Sequence, residues 1–92
     1  MKAPHLHASH PQVVNRLKRA GGHLQNVIAM LDDGKPCLDI VQQLHAVERA
    51  IGAAKKALIH DHLDHCLDGA LHGPPRGARR AMNEFKDITK YL

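Results

Sequence analysis

The sequence predicts an all-α protein with a three-helix protomer, in which two long helices form an antiparallel hairpin and a short third helix follows. Three observations lead to this fold class. Apolar residues recur at spacings of three and four along two long segments, which is the periodicity of an amphipathic helix. No proline interrupts residues 37–72. Turn-forming residues separate the segments, as Asp-Asp-Gly at 32–34 and His-Gly-Pro-Pro-Arg-Gly at 72–77.

The first helix is expected to follow a short, flexible, His-rich segment, residues 1–9. Ser9 is the predicted N-cap, and Pro11 fits the first turn because its missing N–H needs no partner there. The helix should end at Asp32–Gly34, where Gly34 can adopt the left-handed cap conformation. The predicted apolar stripe of this helix comprises Val13, Val14, Leu17, Ala20, Leu24, Val27, Ile28 and Leu31.

The second helix is expected to begin around Pro36 and to continue for about 30 residues. Its apolar stripe includes Leu38, Val41, Leu44, Ile51, Ala54, Leu58 and Leu63, with His62 on the same side. Residues 72–77 are interpreted as a linker. A third helix is predicted over residues 78–91, with Ala81, Met82, Phe85 and Ile88 on one side.

A chain of 92 residues predicts a single domain with a small core, spanning residues 1–92. Phe85 and Tyr91 are its only aromatic residues, so the core must be aliphatic. A short third helix cannot cover the apolar stripe of two long helices. The sequence therefore predicts that two protomers pair as a four-helix-bundle dimer.

The formal net charge of +4, with all nine histidines counted as neutral, suits an acidic partner, of which nucleic acid is the usual one. No aromatic residues interleave with the basic ones, which speaks against base stacking on a single strand and leaves double-stranded DNA as the expected partner. Arg16, Arg19 and His23 share one face of the first helix. Counting from the hairpin turn brings this face level with basic residues of the second helix. A phosphate-contacting patch and a merely solvated face are the two interpretations. The predicted DNA contacts are Arg16, Lys18, Arg19, Arg49, Lys55 and Lys56, with Arg76, Arg79 and Arg80 as further candidates.

The chain contains no apolar run long enough to cross a bilayer, and its first residues lack the apolar core of a signal peptide. A cytoplasmic location without a membrane partner is therefore expected. In such a reducing compartment two cysteines are interpreted as ligands or reactive thiols rather than as a disulfide.

The segment Ile-His-Asp-His-Leu-Asp-His-Cys, residues 59–66, concentrates nitrogen and sulfur donors. His62 and Cys66 lie four residues apart, so a helix places them on one face, one turn apart, and they can chelate a metal ion. Both continue the apolar stripe. We interpret His60 and His65 instead as solvated residues of the helix surface.

Cys37 is the other cysteine, and 25 residues of helix, roughly 37 Å, separate it from His62. The two can meet only across an antiparallel dimer, where symmetry creates two identical sites. Cys37 as a buried small residue is the alternative. The hairpin count also brings His5 beside His62 and Cys66. His7 and His10 are less well placed but stay candidates for the same nitrogen ligand.

These motifs resemble the CsoR/RcnR family of metal-sensing repressors, which contains copper-, nickel- and formaldehyde-responsive members. The resemblance runs through residues 12–68. It is carried by Val-Asn-Arg-Leu-Lys-Arg-Ala-Gly-Gly-His-Leu at 14–24 and by Cys37, His62 and Cys66 at the spacing of the family. It implies three-helix protomers that form homodimers and then a homotetramer built from two dimers. It also implies binding of operator DNA without metal and its release when metal binds.

In the resemblance, four ligand positions distinguish the inducers, and here they hold His5, Cys37, His62 and Cys66. A histidine at the first position is typical of nickel- and cobalt-responsive members. Two nitrogens and two thiolates suit square-planar Ni(II). Cu(I), the alternative, needs only the last three ligands.

Two departures from the copper sensors favour Ni(II) or Co(II). Pro36 stands where copper sensors often place tyrosine, and their C-terminal glutamate corresponds to a position near Met82, with Glu84 only nearby. A persulfide sensor would not need His62. Formaldehyde-responsive members carry proline at the second position, where this chain has Lys2. The leading prediction is thus a metal-responsive repressor and not an enzyme.

Two other classes are weighed against this one. A metal buffer would not need the basic face, and a small metalloenzyme would need a positioned base beside an open metal position. The sequence offers only Asp61 and Asp64 near the predicted ligands. Redox sensing through Cys37 and Cys66 stays open beside metal sensing.

Overall fold

The computed structural model describes residues 9–73 and 75–92, and within them it contains three α-helices and no strand. The helices are α1 (His10–Asp32), α2 (Cys37–His72) and α3 (Pro75–Thr89). The predicted all-α class is confirmed. His5 and His7 lie outside the described residues, as does most of the predicted flexible segment. The side chain of Arg76 also lies outside the described part of the chain.

Helix α1 begins where the sequence predicts, with Ser9 at the N-cap position and proline in the first turn. The Ser9 hydroxyl, however, makes no capping hydrogen bond. Ser9 has helical backbone angles (φ −78°, ψ −17°), whereas a capping side chain reaches the first-turn N–H groups from extended angles. Its carbonyl still accepts the first helical bond, from the Val13 N–H at 2.9 Å.

Gly34 ends α1 as predicted, because it adopts the left-handed conformation with φ +67°. The Lys35 N–H donates to the Met30 carbonyl at 3.0 Å, and the Gly34 N–H donates to the Leu31 carbonyl at 3.2 Å. This pair of bonds is the Schellman motif. It closes the last turn of α1 and starts the reversal into α2.

The boundaries of two helices, α2 and α3, differ from the sequence-based predictions. Helix α2 has 36 residues rather than about 30, because interior glycines such as Gly52 cost only about 1 kcal/mol each and do not stop it. Helix α3 begins at Pro75 rather than at residue 78 and ends at Thr89. Proline is well suited to a first helical turn, so residues 75–77 are helical and the predicted linker was too long.

The described residues form two compact units, which divide within α2 between Lys55 and Lys56. We call them the N-terminal and the C-terminal unit. In the N-terminal unit, Val27, Ile40 and Val47 form the buried core, with Met30 packed against it. His23 contacts Gln43 near the turn, whereas Arg16 shares a cavity with Ala53 farther from it. Helix α1 is therefore antiparallel to the first part of α2, as predicted.

The buried residues of the hairpin recur at steps of seven along both helices. They are Val13, Ala20 and Val27 on α1, and Ile40, Val47 and Ala54 on α2. A step of seven returns to nearly the same side of a helix every two turns, so the buried seam is narrow.

Much of the predicted apolar stripe stays outside this seam. The exposed fractions are 45% for Leu17, 37% for Leu24 and 60% for Leu31, and the exposed residues of α2 include Leu38, Val41, Leu44 and Ile51. This exposure agrees with the prediction that one protomer cannot cover its own apolar stripe. Although the surface is rich in apolar residues, no helix in residues 9–73 and 75–92 is long and apolar enough to cross a membrane.

Candidate metal centre

Three potential metal ligands converge in the C-terminal unit. His62 and Cys66 lie one turn apart on α2, and Glu84 reaches them from α3. The Glu84 Oε2 atom is 3.6 Å from the His62 Nε2 atom and 3.8 Å from the Cys66 Sγ atom. Their candidate ligand atoms all lie within 4.8 Å of one another. The cluster thus unites two of the predicted ligands with a carboxylate.

The three side chains differ in exposure. Cys66 is 5% exposed, whereas the side chains of His62 and Glu84 are 34% and 52% exposed. Burial raises the pKa of the Cys66 thiol, and the negative charge of Glu84 and the hydrogen bond from the thiol to its carboxylate raise it further. A metal ion must displace this thiol proton, because the thiolate is the ligand. In the cluster the Cys66 thiol therefore holds its proton more strongly than an ordinary cysteine does, and the partly exposed side chains of His62 and Glu84 are the members that solvent reaches.

Glu84 is the member of this cluster that the sequence did not predict as a ligand. The sequence placed the C-terminal glutamate of copper sensors near Met82, which is exposed here, and noted Glu84 only as a neighbour. Which residue of α3 faces Cys66 depends on where α3 begins and how it packs on α2. The start at Pro75 shifts that helix relative to the prediction. The sequence did offer one signal for this contact, because Glu84 lies within one helical turn of the position at which the glutamate of the copper sensors was expected.

The remaining predicted ligands are not part of this cluster. Cys37 is exposed at the first residue of α2, so the alternative of a buried small residue is wrong for the protomer. His10 is the first residue of α1 and is not in the cluster that the described residues form. His5 and His7 lie outside the described residues, and their roles stay predictions, as does that of Cys37.

A variant of Glu84 tests the electrostatics of the cluster without metal. In Glu84→Gln, the pKa of the Cys66 thiol should fall part of the way toward its ordinary value of 9.0, because burial persists while the carboxylate charge is lost. The alkylation rate of Cys66 against pH, followed by mass spectrometry, measures this pKa, and Cys37 in the same sample is the control. An unchanged Cys66 profile would show that Glu84 does not contact the thiol.

A basic cavity occupies the surface of the N-terminal unit. Its volume is about 390 Å³, and it is lined by Arg16, Arg19, Ala20, His23, Ala50 and Ala53. The small alanine side chains leave room beside the two guanidinium groups. The His23 Nε2 atom lies 2.7 Å from the Gln43 Oε1 atom, which accepts its hydrogen bond and holds the ring at the cavity. The structure therefore gathers Arg16, Arg19 and His23 on one face, as predicted.

The other predicted DNA contacts are exposed, but the described cavity does not include them. Lys18, Arg49, Lys55 and Lys56 all lie on the surface. Arg79 and Arg80 line a separate cavity of about 320 Å³ in the C-terminal unit, together with Asn83, Glu84 and Asp87.

Comparisons with known proteins agree on one family. The family model described as metal-sensitive transcriptional repressor matches residues 9–91. The copper-sensing transcriptional repressor CsoR of Mycobacterium ulcerans (strain Agy99) is 39% identical over 79 residues, which are 85% of this chain and 65% of that protein. CsoR of Bacillus subtilis (strain 168) is 32% identical over 79 residues, 86% of this chain and 76% of that protein.

A solved structure supports the same assignment. The nickel-responsive transcriptional regulator InrS superposes with a TM-score of 0.78 at 27% identity, covering 96% of this chain and 97% of that one. The family match spans both the basic cavity and the cluster of His62, Cys66 and Glu84. This chain therefore belongs to the family of metal-sensitive transcriptional repressors.

Proposed function

We propose that the protein represses transcription by binding operator DNA in its metal-free form and that Ni(II) or Co(II) releases it. The observation that carries this proposal is the cluster of His62 and Cys66, with its buried thiol, in a chain of this family. The family consists of transcriptional repressors and not of enzymes. Metal binding at one site and DNA binding at another would be coupled through the helices that carry both.

The donor types favour a divalent ion of borderline softness. Imidazole and thiolate together suit Ni(II), Co(II) and Zn(II), and the carboxylate of Glu84 places a hard oxygen beside them. Cu(I) prefers soft sulfur donors and gains little from such an oxygen. The nickel-responsive InrS, which is similar over almost the whole chain, supports this choice.

Cu(I) is the second candidate inducer, because the relatives from M. ulcerans and B. subtilis are named as copper-sensing. Titrating the DNA complex with Ni(II), Co(II) and Cu(I) under anaerobic conditions distinguishes the two proposals. The probe is a duplex selected from random DNA by the metal-free protein. For each metal, the free concentration that releases the duplex is divided by the dissociation constant of that metal from the free protein. We expect this ratio to be smaller for Ni(II) or Co(II) than for Cu(I). Release by Cu(I) alone would place copper first.

Two protomers would complete the metal centre. Cys37 is exposed, and Leu24, Val41, Leu44 and Ile51 line an open apolar cavity of about 510 Å³ in the same unit. Covering this surface with a second copy would bury the leucines that one protomer leaves in water. In an antiparallel pair, Cys37 of one protomer would approach His62 and Cys66 of the other. Pairing of two such dimers into a tetramer stays a prediction.

Mixing two inactive variants tests the shared site. Cys37→Ala and His62→Ala should each lose tight metal binding, because each removes one ligand from both sites of its homodimer. After subunit exchange, a heterodimer regains one intact site, so metal titration should show tight binding to about half of its sites. The exchange is verified with protomers of different mass. Loss of all tight binding despite complete exchange would contradict a site built between protomers.

The basic cavity would hold DNA phosphates. Two arginines at one cavity offer charge-assisted hydrogen bonds to phosphate oxygens, and His23 adds a third polar group. Such contacts supply affinity but little sequence readout. The exposed Lys18, Arg49, Lys55 and Lys56 would extend the same contact electrostatically.

A further inference from the structure

We propose that His23 makes a charged contact with a DNA phosphate only in its protonated form and that Gln43 is the residue that positions its ring, so that affinity for DNA falls as pH rises. The inference rests on the proposed function as a DNA-binding repressor and adds a pH dependence to the contact at the basic cavity. There the half-buried His23 lies with Arg16 and Arg19, and a hydrogen bond joins its ring to α2.

The hydrogen bond to Gln43 determines where the neutral ring keeps its proton. The Gln43 Oε1 atom lies 2.7 Å from the His23 Nε2 atom and can only accept, so Nε2 is the donor. A neutral imidazole carries a single N–H, which leaves its Nδ1 atom as an acceptor. Phosphate oxygens are acceptors as well, so the neutral ring has no second donor for them. Protonation puts a hydrogen on Nδ1 and a positive charge on the ring.

The charges around the ring favour an anionic ligand. Arg16 and Arg19 are the charged groups that α1 brings to the cavity, and the described lining from α2 is uncharged. None of the described residues that line the cavity carries a carboxylate. Asp39 precedes Gln43 by one turn of α2 and is exposed, so its charge is examined separately below. A phosphate bound at this cavity would favour the charged imidazole by direct attraction.

The sign of the pH dependence follows from that attraction. Because phosphate stabilises the charged ring, DNA binding takes up a proton at His23. The added affinity is therefore complete at low pH, where the free protein already carries the proton, and is lost as pH rises. Histidine side chains change charge between about pH 5 and 8, so the change in DNA affinity falls within this interval.

Titration of the selected duplex with the metal-free, full-length protein tests the proposal, in the presence of a chelator, at several salt concentrations and at pH values from about 5.5 to 8.5. His23→Gln removes the charge and keeps a polar side chain, His23→Lys fixes the charge, and Gln43→Glu puts a carboxylate beside the ring. Asp39→Asn removes the neighbouring charge. His72→Gln is the matched control, because His72 is exposed in the C-terminal unit and pairs with Asp68 at 3.7 Å. Circular dichroism verifies that each variant is folded.

We expect the DNA affinity of the wild type to rise by about tenfold from high to low pH. The slope of log affinity against log salt should steepen by about 1 for each His23 that meets a phosphate. His23→Gln should keep the affinity measured at high pH and lose most of the rise, whereas His23→Lys should bind tightly at every pH. Gln43→Glu should move the midpoint of the rise to higher pH, because a carboxylate favours the charged ring. Asp39→Asn and His72→Gln should retain the wild-type rise.

Two outcomes would overturn the proposal. A rise in His23→Gln as large as in the wild type would assign the pH dependence to other groups. An unmoved midpoint in Gln43→Glu would show that Gln43 does not position the ring. Failure of the proposed function is read separately, as wild-type protein that stays on the duplex in the presence of Ni(II), Co(II) and Cu(I). The pH series uses the metal-free complex and still decides the role of His23 in that case.

Discussion

Cys66→Ser should lower the affinity for Ni(II) and Co(II) by more than about 100-fold and leave the repressor on DNA at metal concentrations that release the wild type. The physical reason is the loss of a buried thiolate, for which a serine hydroxyl is a poor substitute because it stays protonated at neutral pH. Serine has the same branching as cysteine and a smaller side-chain atom, so it should fit at position 66 without a clash. Competition with a metal chelator measures the affinity, and fluorescence anisotropy of labelled duplex measures DNA release.

His60→Ala is the matched control for this variant. His60 lies on the same helix, is exposed and is not part of the cluster. It should keep both metal affinity and metal-driven release. If Cys66→Ser still released DNA at wild-type metal concentrations, the metal centre would have to lie elsewhere in the chain.

The double variant Arg16→Ala/Arg19→Ala should weaken binding to the selected duplex by an order of magnitude or more. Each arginine contributes about one phosphate contact, so the slope of log affinity against log salt should fall by about 2. Both side chains line the basic cavity of the N-terminal unit, away from the candidate metal ligands along the chain. Metal affinity of the free protein should therefore stay near that of the wild type.

Lys35→Ala controls for a general loss of positive charge, because Lys35 is exposed at the hairpin turn and outside the cavity. DNA titrations at several salt concentrations give both the DNA affinity and the slope of log affinity against log salt. A double variant with the wild-type slope would show that Arg16 and Arg19 are only solvated.

Local periodicity accounts for what the sequence predicted well. The three helices, the stop at Gly34 and the proximity of His62 to Cys66 each follow from spacings within one segment, where helix geometry fixes the outcome. The start of α3 was misplaced because Pro75 can either end a linker or open a helix. Only the packing of α3 on α2 decides between them.

Contacts between segments that are far apart in the sequence could not be predicted. Glu84 lies 18 residues after Cys66, beyond a break in the helices, so no local rule gives its contact with the thiol. The sequence also predicted that one protomer leaves part of its apolar stripe uncovered, and Leu17 and Leu31 are exposed accordingly. A second protomer is the missing partner in that pattern, and the sequence of one chain does not specify its contacts.

The coupling between metal and DNA is tested most directly by measuring metal affinity twice, on the free protein and on the protein saturated with its selected duplex. We predict that Ni(II) or Co(II) binds the DNA complex more weakly, by a factor of about 5–150, and that metal weakens DNA affinity by the same factor, because coupling between two sites is reciprocal. Equal metal affinities with and without DNA would contradict the account, since a metal that binds both states equally cannot release the repressor.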